Sequence, residues 1–389
     1  MKTEMQLAYV VKLGRRFMSV RWWFALVAVL AITLTYWGRD KNWTDCESKD
    51  WNARKRGCTA IVEDVTESSN RVWQAYIHRG RAFEKMDNLE LAIKDYDKAI
   101  RMFPDRPNAY LLRGYAFSEK GDAERAIADI NKGIVLGSEN ANPLIVRGNF
   151  YIDRNQLEPA ISDFRRALAL EPKNAFALTG LGHAYFYSDR IAEAISSFDL
   201  AIAIEPEFEP AYAGRGAAYL TKRDFDKALA DLNKAIALEP SDSYSYHLRS
   251  QVRIEIGEQV TAIKDANQAI ALEPRNAEFL NGRCFRLAFV GMDLDQARAD
   301  CDAALAIEND HNTLDSRGFV GLKQGRFDEA WKDYDTALRM APSTASYLFG
   351  RGIAALRLGR TADGNADLAA AIKLNGKIAE EYARYGVRP

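Results

Sequence analysis

The sequence predicts an all-α chain of stacked helix pairs standing behind a single membrane-crossing helix. Three observations carry that expectation. A small residue recurs every 34 positions from Gly80 to Gly352, the apolar residues between these rungs follow helical spacing in two blocks per period, and an uncharged run, Trp22 to Gly38, sits between Arg21 and Arg39. The 389 residues would ordinarily suggest two or three globular domains, but repeats grow by stacking and escape that rule. Charge is balanced, 53 Lys+Arg against 54 Asp+Glu, so the basic excess that grips a phosphate backbone is missing and no nucleic-acid partner is expected. With 48% apolar and 28% charged residues and only 11 prolines, the composition is that of a folded chain.

Taken in order, residues 1–21 form a basic tail containing Lys12, Arg15 and Arg16. Residues 22–38 then read as a transmembrane anchor: 17 uncharged residues span roughly 26 Å at the helical rise, with Trp22, Trp23, Tyr36 and Trp37 at the headgroup boundaries. A cleaved signal peptide is the competing reading. Only Val29 and Ala31 offer small residues at cleavage spacing, and they lie inside the apolar run, so the anchor is preferred. Lys12, Arg15, Arg16 and Arg21 precede the span and Arg39, Lys41 and Lys49 follow it, a weak bias that places residues 1–21 in the cytoplasm. Residues 39–72 hold a degenerate leading repeat, in which Asp50 to Val62 looks like a second helix.

From 73 to 378 the chain divides into nine repeats. The rungs are Gly80, Gly114, Gly148, Gly182, Gly216, Ser250, Cys284, Gly318 and Gly352, with Ala92, Ala126, Ala160, Ala194, Ala228 and Ala262 twelve positions after the first six. Ala297 is displaced by one, which an insertion near Met292 explains, and the following turn restores the register at Gly318. Gly121-Asp122 punctuates a repeat internally, and Pro172, Pro206, Pro240 and Pro274 stop second helices. Residues 379–389 close the array as a C-terminal cap, as a solenoid's last apolar face requires.

Tyr212, Gly216, Tyr219, Ala228, Leu232, Ala235 and Pro240 in the fifth repeat stand at the offsets of the tetratricopeptide repeat family, which the chain resembles over all nine repeats. The resemblance implies a right-handed α-solenoid whose first helices line a concave groove. Carried over by position, that groove holds Leu111, Tyr115, Asn149, Ile152, Phe176, Thr179, His183, Phe186 and Tyr187, then Tyr244, His247, Gln251, Asn281, Phe285 and Phe289. The lining is apolar and aromatic, which suits a peptide or helix of another protein as partner. The Lys and Asn clamp that chaperone-binding members close on a terminal carboxylate is not reproduced, since Ile77, Arg81 and Leu112 occupy its positions.

One ladder departs from the family's usual leucine. An arginine precedes eight of the nine rungs, as Arg113 and Arg215 do, and an aspartate follows sixteen or seventeen residues later, as Asp129 and Asp231 do. The fourth repeat lacks both, with Leu181 and Ser197 in their places. Paired within each repeat, the ladder leaves no charge orphaned, so bridges between the two helices of a repeat are expected. The cysteines form two local pairs, Cys46 with Cys58 and Cys284 with Cys301, each joining successive helices. Disulfides are favoured over four reduced core thiols and would put the repeats outside the cytosol, most plausibly in a periplasm beyond an inner membrane. His78, His183, His247 and His311 are scattered, and no metal, cofactor or catalytic motif is expected. The sequence therefore reads as a membrane-tethered, non-enzymatic binding scaffold in cell-envelope assembly or secretion. A self-associating homo-oligomer and a cytosol-facing regulatory adaptor are the alternatives.

Overall fold

The structure, a computed structural model, describes residues 41–389, so the expected basic tail and crossing helix (1–21 and 22–38) lie outside the described residues. Among the described residues no helix is long and apolar enough to cross a membrane. All regular structure described is helical, 21 helices in two compact bodies that divide between Ile204 and Glu205.

The first body opens with α1 (Lys41–Cys46) and α2 (Trp51–Glu63), a shortened pair closed by a Cys46–Cys58 disulfide. Four full repeats follow: α3 (Ser69–Lys85) and α4 (Leu89–Met102), α5 (Pro107–Glu119) and α6 (Ala123–Val135), α7 (Ala141–Asp153) and α8 (Leu157–Leu170), α9 (Ala175–Tyr187) and α10 (Ile191–Ile204). The second body holds five: α11 (Glu209–Lys222) and α12 (Phe225–Leu238), α13 (Ser243–Glu255) and α14 (Gln259–Leu272), α15 (Ala277–Val290) and α16 (Leu294–Ile307), α17 (His311–Gln324) and α18 (Phe327–Met340), α19 (Ala345–Arg357) and α20 (Thr361–Leu374). A short α21 (Ile378–Arg384) ends the chain.

Local chemistry explains the helix ends. Asn174, Asp242, Asn276 and Asp310 cap first helices by accepting from backbone N–H groups of the opening turn. Seven positions after each rung one residue adopts positive φ and reverses the chain: Asp87, Gly121, Asn155, Asp189, Arg223, Gly257, Gly291, Gly325 and Gly359. The extra residue of the seventh repeat is absorbed there, because Asp293 also turns left-handed, at φ 39°, while its side chain caps Gln296.

The rungs are small because the two helices of a repeat meet at them. A Cβ on Gly80 would stand 2.5 Å from the Tyr96 ring, on Gly182 2.7 Å from Phe198, and on Gly318 2.9 Å from Tyr334. Where the rung is larger, the facing residue shrinks. Ser250, whose Oγ donates to Ala262 O at 2.7 Å, stands sixteen positions before Ala266, and Cys284 is disulfide-bonded to Cys301, with Cα atoms 5.6 Å apart.

Each ladder arginine forks onto the aspartate of its own repeat. Arg113 donates from Nε and Nη2 to Asp129 at 2.7 Å, Arg215 does the same to Asp231 at 2.7 Å, and Arg79, Arg147, Arg249, Arg283, Arg317 and Arg351 repeat the geometry. The Asp129 hydrogen bond holds the Arg113 guanidinium above its ordinary pKa. The remaining Nη1 reaches back to the preceding repeat, from Arg113 to Asp97 at 2.5 Å, Arg147 to Asn131 at 2.6 Å and Arg249 to Asn233 at 2.7 Å. One side chain thus ties two helices within a repeat and the repeat to its neighbour. The gap in the ladder also gains a cause. The residue that would accept the third arm in the fourth repeat is Arg165, which would repel a guanidinium; it donates instead to Tyr185 Oη at 2.7 Å, Leu181 is apolar, and Ser197 bonds back to Glu193 O at 2.8 Å.

Candidate functional site

The predicted lining comes from the first helices, and the structure sorts it into interior and surface. In the first body Leu111, Ile152, Thr179, His183 and Phe186 are buried. They therefore belong to the core and do not form an open groove wall. Leu111 turns inward because Gly133 leaves room beneath it, so close that a Cβ there would come within 2.4 Å of its methyl. His183 lies edge-on to Phe198 at 5.0 Å and stacks on Tyr187 at 6.4 Å, and burial lowers its pKa to about 3. Phe186, only 6% exposed, packs edge-on against Tyr187 at 5.4 Å. Tyr115, Asn149, Phe176 and Tyr187 remain half-buried on the first-helix face.

The second body divides in the same way. Tyr244 and His247 are buried, and with Phe279 they form a three-ring cluster, His247 stacking on Tyr244 at 5.9 Å and on Phe279 at 5.0 Å while Tyr244 and Phe279 are 6.5 Å apart. Gln251, Asn281, Phe285 and Phe289 are half-buried. The inward set packs in two ways: Leu111 and His183 turn onto the second helix of their own repeat, at Gly133 and Phe198, while His247 packs on Phe279 of the next first helix.

One residue beside this stack escaped the sequence reading. Arg286 stands two positions after its rung, where other repeats place Ala82, Ala116, Ala184, Ala218, Val252 and Ala354. It is 3% exposed, its Nη2 approaches His247 O at 3.4 Å, and its Nη1 packs over Gly282 with no hydrogen-bond partner among the described residues. Burial lowers its pKa to about 10, against the opposing fields of Glu278 and Asp265. The signal was the single charge in an otherwise apolar column.

The C-terminal segment also takes an unexpected course. Expected only as a cap over the last repeat, it crosses the first-helix face. Tyr382 lies against Phe349 at 4.9 Å and Phe319 at 6.2 Å, and Tyr385 against Phe289 at 5.4 Å, Phe319 at 5.9 Å and Phe285 at 6.1 Å. Three successive first helices, α15, α17 and α19, are covered in this way, and Val387 is buried with them. The face expected to receive a helix of another protein has a helix of this chain seated on it.

Family models described as tetratricopeptide repeat match residues 78–141, 177–208, 210–242 and 322–378, and one described as TPR repeat matches 148–188. The chain belongs to the tetratricopeptide repeat family. Residues 243–321 fall outside these matches and contain both non-glycine rungs, Ser250 and Cys284, together with the insertion. No curated protein matches the chain significantly. Among solved structures it is similar to the APC/C hetero-tetramer Cut9–Hcn1, at 14% identity over 87% of this chain and 80% of that one, with a TM-score of 0.59. It is also similar to YrrB, described as a TPR protein with an unusual peptide-binding site (24% identity, 50% and 97% covered, TM-score 0.42). A third is pilF of Pseudomonas aeruginosa (19% identity, 55% and 97% covered, TM-score 0.48). At these identities the likeness is one of fold.

Proposed function

We propose that the chain is a non-enzymatic protein-interaction scaffold, tethered to the inner membrane by residues 22–38, whose first-helix face binds a helical segment of a partner protein. The observation that carries this is the aromatic first-helix face: Phe176 and Tyr187 stay half-buried on it in the first body, and in the second Phe285, Phe289, Phe319 and Phe349 accept a short helix through ring contacts of 4.9 to 6.2 Å. Aromatic anchors of this kind concentrate binding energy in a few side chains. Tethering would confine the face near the lipid surface and raise the effective concentration of partners held there. The Cys46–Cys58 and Cys284–Cys301 disulfides support an oxidising compartment, hence repeats on the periplasmic side and the basic tail inside. Envelope assembly or secretion is the setting that fits a contact-only protein in that place.

The test is co-purification from solubilised membranes by the intact chain and by a Phe176→Ser/Tyr187→Ser variant, which spares buried Phe186. Loss of a specific partner with helicity retained supports the proposal, and identical partner sets contradict it. Labelling of intact cells with a membrane-impermeant thiol reagent decides the compartment. Labelling only after reduction by an impermeant reductant supports the periplasmic side, whereas thiols that stay unlabelled until the cells are lysed refute it.

A further inference from the structure

Resting on the binding role proposed for the first-helix face, we infer that Phe285, Phe289, Phe319 and Phe349 form a site for a short helix carrying two aromatic side chains three residues apart. The chain's own C-terminal segment holds this site in cis, and a partner helix of the same chemistry enters by displacing it.

The tail is built as a ligand. Tyr382 of α21 and Tyr385, the residue that caps it, are three apart and fall on one side, and Tyr382 is 3% exposed. The helix ends in a paired bond set, Val387 N–H to Tyr382 O and Gly386 N–H to Ala383 O, both 3.0 Å, with Gly386 at φ 75°. That ending folds Val387 back beside Tyr382, so three apolar side chains meet the phenylalanine face together. Polar anchoring is sparse: Tyr382 Oη donates to Ser346 O at 2.8 Å, Arg357 Nη2 to Arg388 O at 3.3 Å, and Asn375 Nδ2 to the Glu381 carboxylate at 3.4 Å. A helix as short as α21 does not persist alone in water, so its order comes from the seat it occupies. The junction with α20 is a tight turn at Gly376, closed by Ile378 N–H to Asn375 O at 3.1 Å and Lys377 N–H to Asn375 Oδ1 at 3.0 Å. A segment held by Ile378, Tyr382, Val387 and the half-buried Tyr385, with few polar bonds, is a local contact that a competing helix can replace.

The experiment uses the full chain and a fluorescent synthetic peptide of residues 376–389. A Tyr382→Ser/Tyr385→Ser variant releases the tail, and the peptide should bind it at least about tenfold more tightly than the unaltered chain, whose site is mostly occupied. Adding Phe289→Ser should abolish that binding. Equal affinity for the two chains overturns the inference, as does absent binding to a variant that keeps native helicity and unfolding midpoint. Should the tyrosine variant lose helicity, Gly386→Val carries the test: it keeps both tyrosines but disfavours the left-handed turn, and peptide affinity must rise several-fold or the inference falls. Concentration-dependent association of the unaltered chain that vanishes in the tyrosine variant would mean that tails exchange between copies, and would also overturn the cis assignment. Failure of these measurements while the Phe176→Ser/Tyr187→Ser variant still loses its partner leaves the scaffold proposal standing and removes only the tail.

Discussion

Replacing Arg147 by Met should damage the third repeat more than replacing Arg147 and Asp163 together by Met and Leu. Asp163 is 2% exposed and receives Arg147 Nε and Nη2 at 2.6 and 2.7 Å. Without the guanidinium its carboxylate is buried beside only Arg166, whose Nη1 is 3.5 Å away on a half-exposed side chain. Breaking one partner of a buried pair costs about 3–5 kcal/mol, and the residual Arg166 field argues for the lower end, about 3 kcal/mol. Asp163→Leu should cost less, about 2 kcal/mol, because Arg147 keeps its 2.6 Å bond to Asn131 and lies nearer to water. The double variant has no orphan and should fall within about 1 kcal/mol of the unaltered protein, a coupling of about 4 kcal/mol. Urea unfolding, fitted with a nearest-neighbour treatment because repeat arrays need not unfold in one step, supplies the energies. Amide exchange in α7 and α8 localises them. A double variant less stable than Arg147→Met alone would show that the fork is not what holds the repeat.

Four shorter predictions accompany it. Arg223→Gly should change the second body's stability little, by about 0.5 kcal/mol in favour, since relief at φ 63° outweighs an exposed pair with Glu255 and a stack 5.1 Å over the Phe225 ring; a clear loss on thermal melting would count against strain there. Reduction of Cys284–Cys301, which closes a loop across 17 positions, should lower that body's stability by about 3 kcal/mol, seen as a lower urea midpoint in dithiothreitol. His183 and His78 should subtract stability from the first body as pH falls from 6.5 towards 3, a loss opposed above about pH 4.5 by Glu84 and Asp153, whose burial raises their pKa to about 8 and about 7, and therefore seen in full only below it. Burial lowers the pKa of His183 to about 3 and of His78 to about 4, so the unfolded chain binds protons that the folded chain refuses, at up to about 1.4 kcal/mol per pH unit for each histidine. His183→Gln should flatten that slope, and an unchanged slope would contradict the assignment. Leu181→Arg alone should destabilise the fourth repeat by about 2 kcal/mol or more, and adding Ser197→Asp with Arg165→Asn should recover most of it; melting curves showing no recovery would refute the account of the missing rung.

Much of the fold was legible because a stacked repeat writes its geometry into a fixed period. Gly80 to Gly352 marked the helix crossings, and the joint absence of Arg and Asp at Leu181 and Ser197 pointed to pairing within a repeat. Other features were written less plainly. Asp97, Asn131, Asn233 and Asn267 form a second acceptor column that only the third arm of each arginine reveals. Left-handed turns at Asp87, Asn155, Asp189 and Arg223 carry no glycine to announce them. The groove was the least legible part. Position within a repeat says that Leu111, His183 and Tyr244 leave the first helix on one side, but not that Gly133 and Phe198 receive the first two within their own repeats and Phe279 the third across to the next. Nor does it show that Tyr382 and Tyr385, beyond the last full repeat, return to Phe349 and Phe289.

The central claim, that the first-helix face makes the partner contact, is tested most directly by photo-crosslinking in intact cells. A benzophenone amino acid would replace Asn149 on that face or Val135, which is 80% exposed at the end of second helix α6. Crosslinking of one partner polypeptide from position 149 with none from 135 is the predicted result. Equal crosslinking from both, or crosslinking from 135 alone, would contradict it.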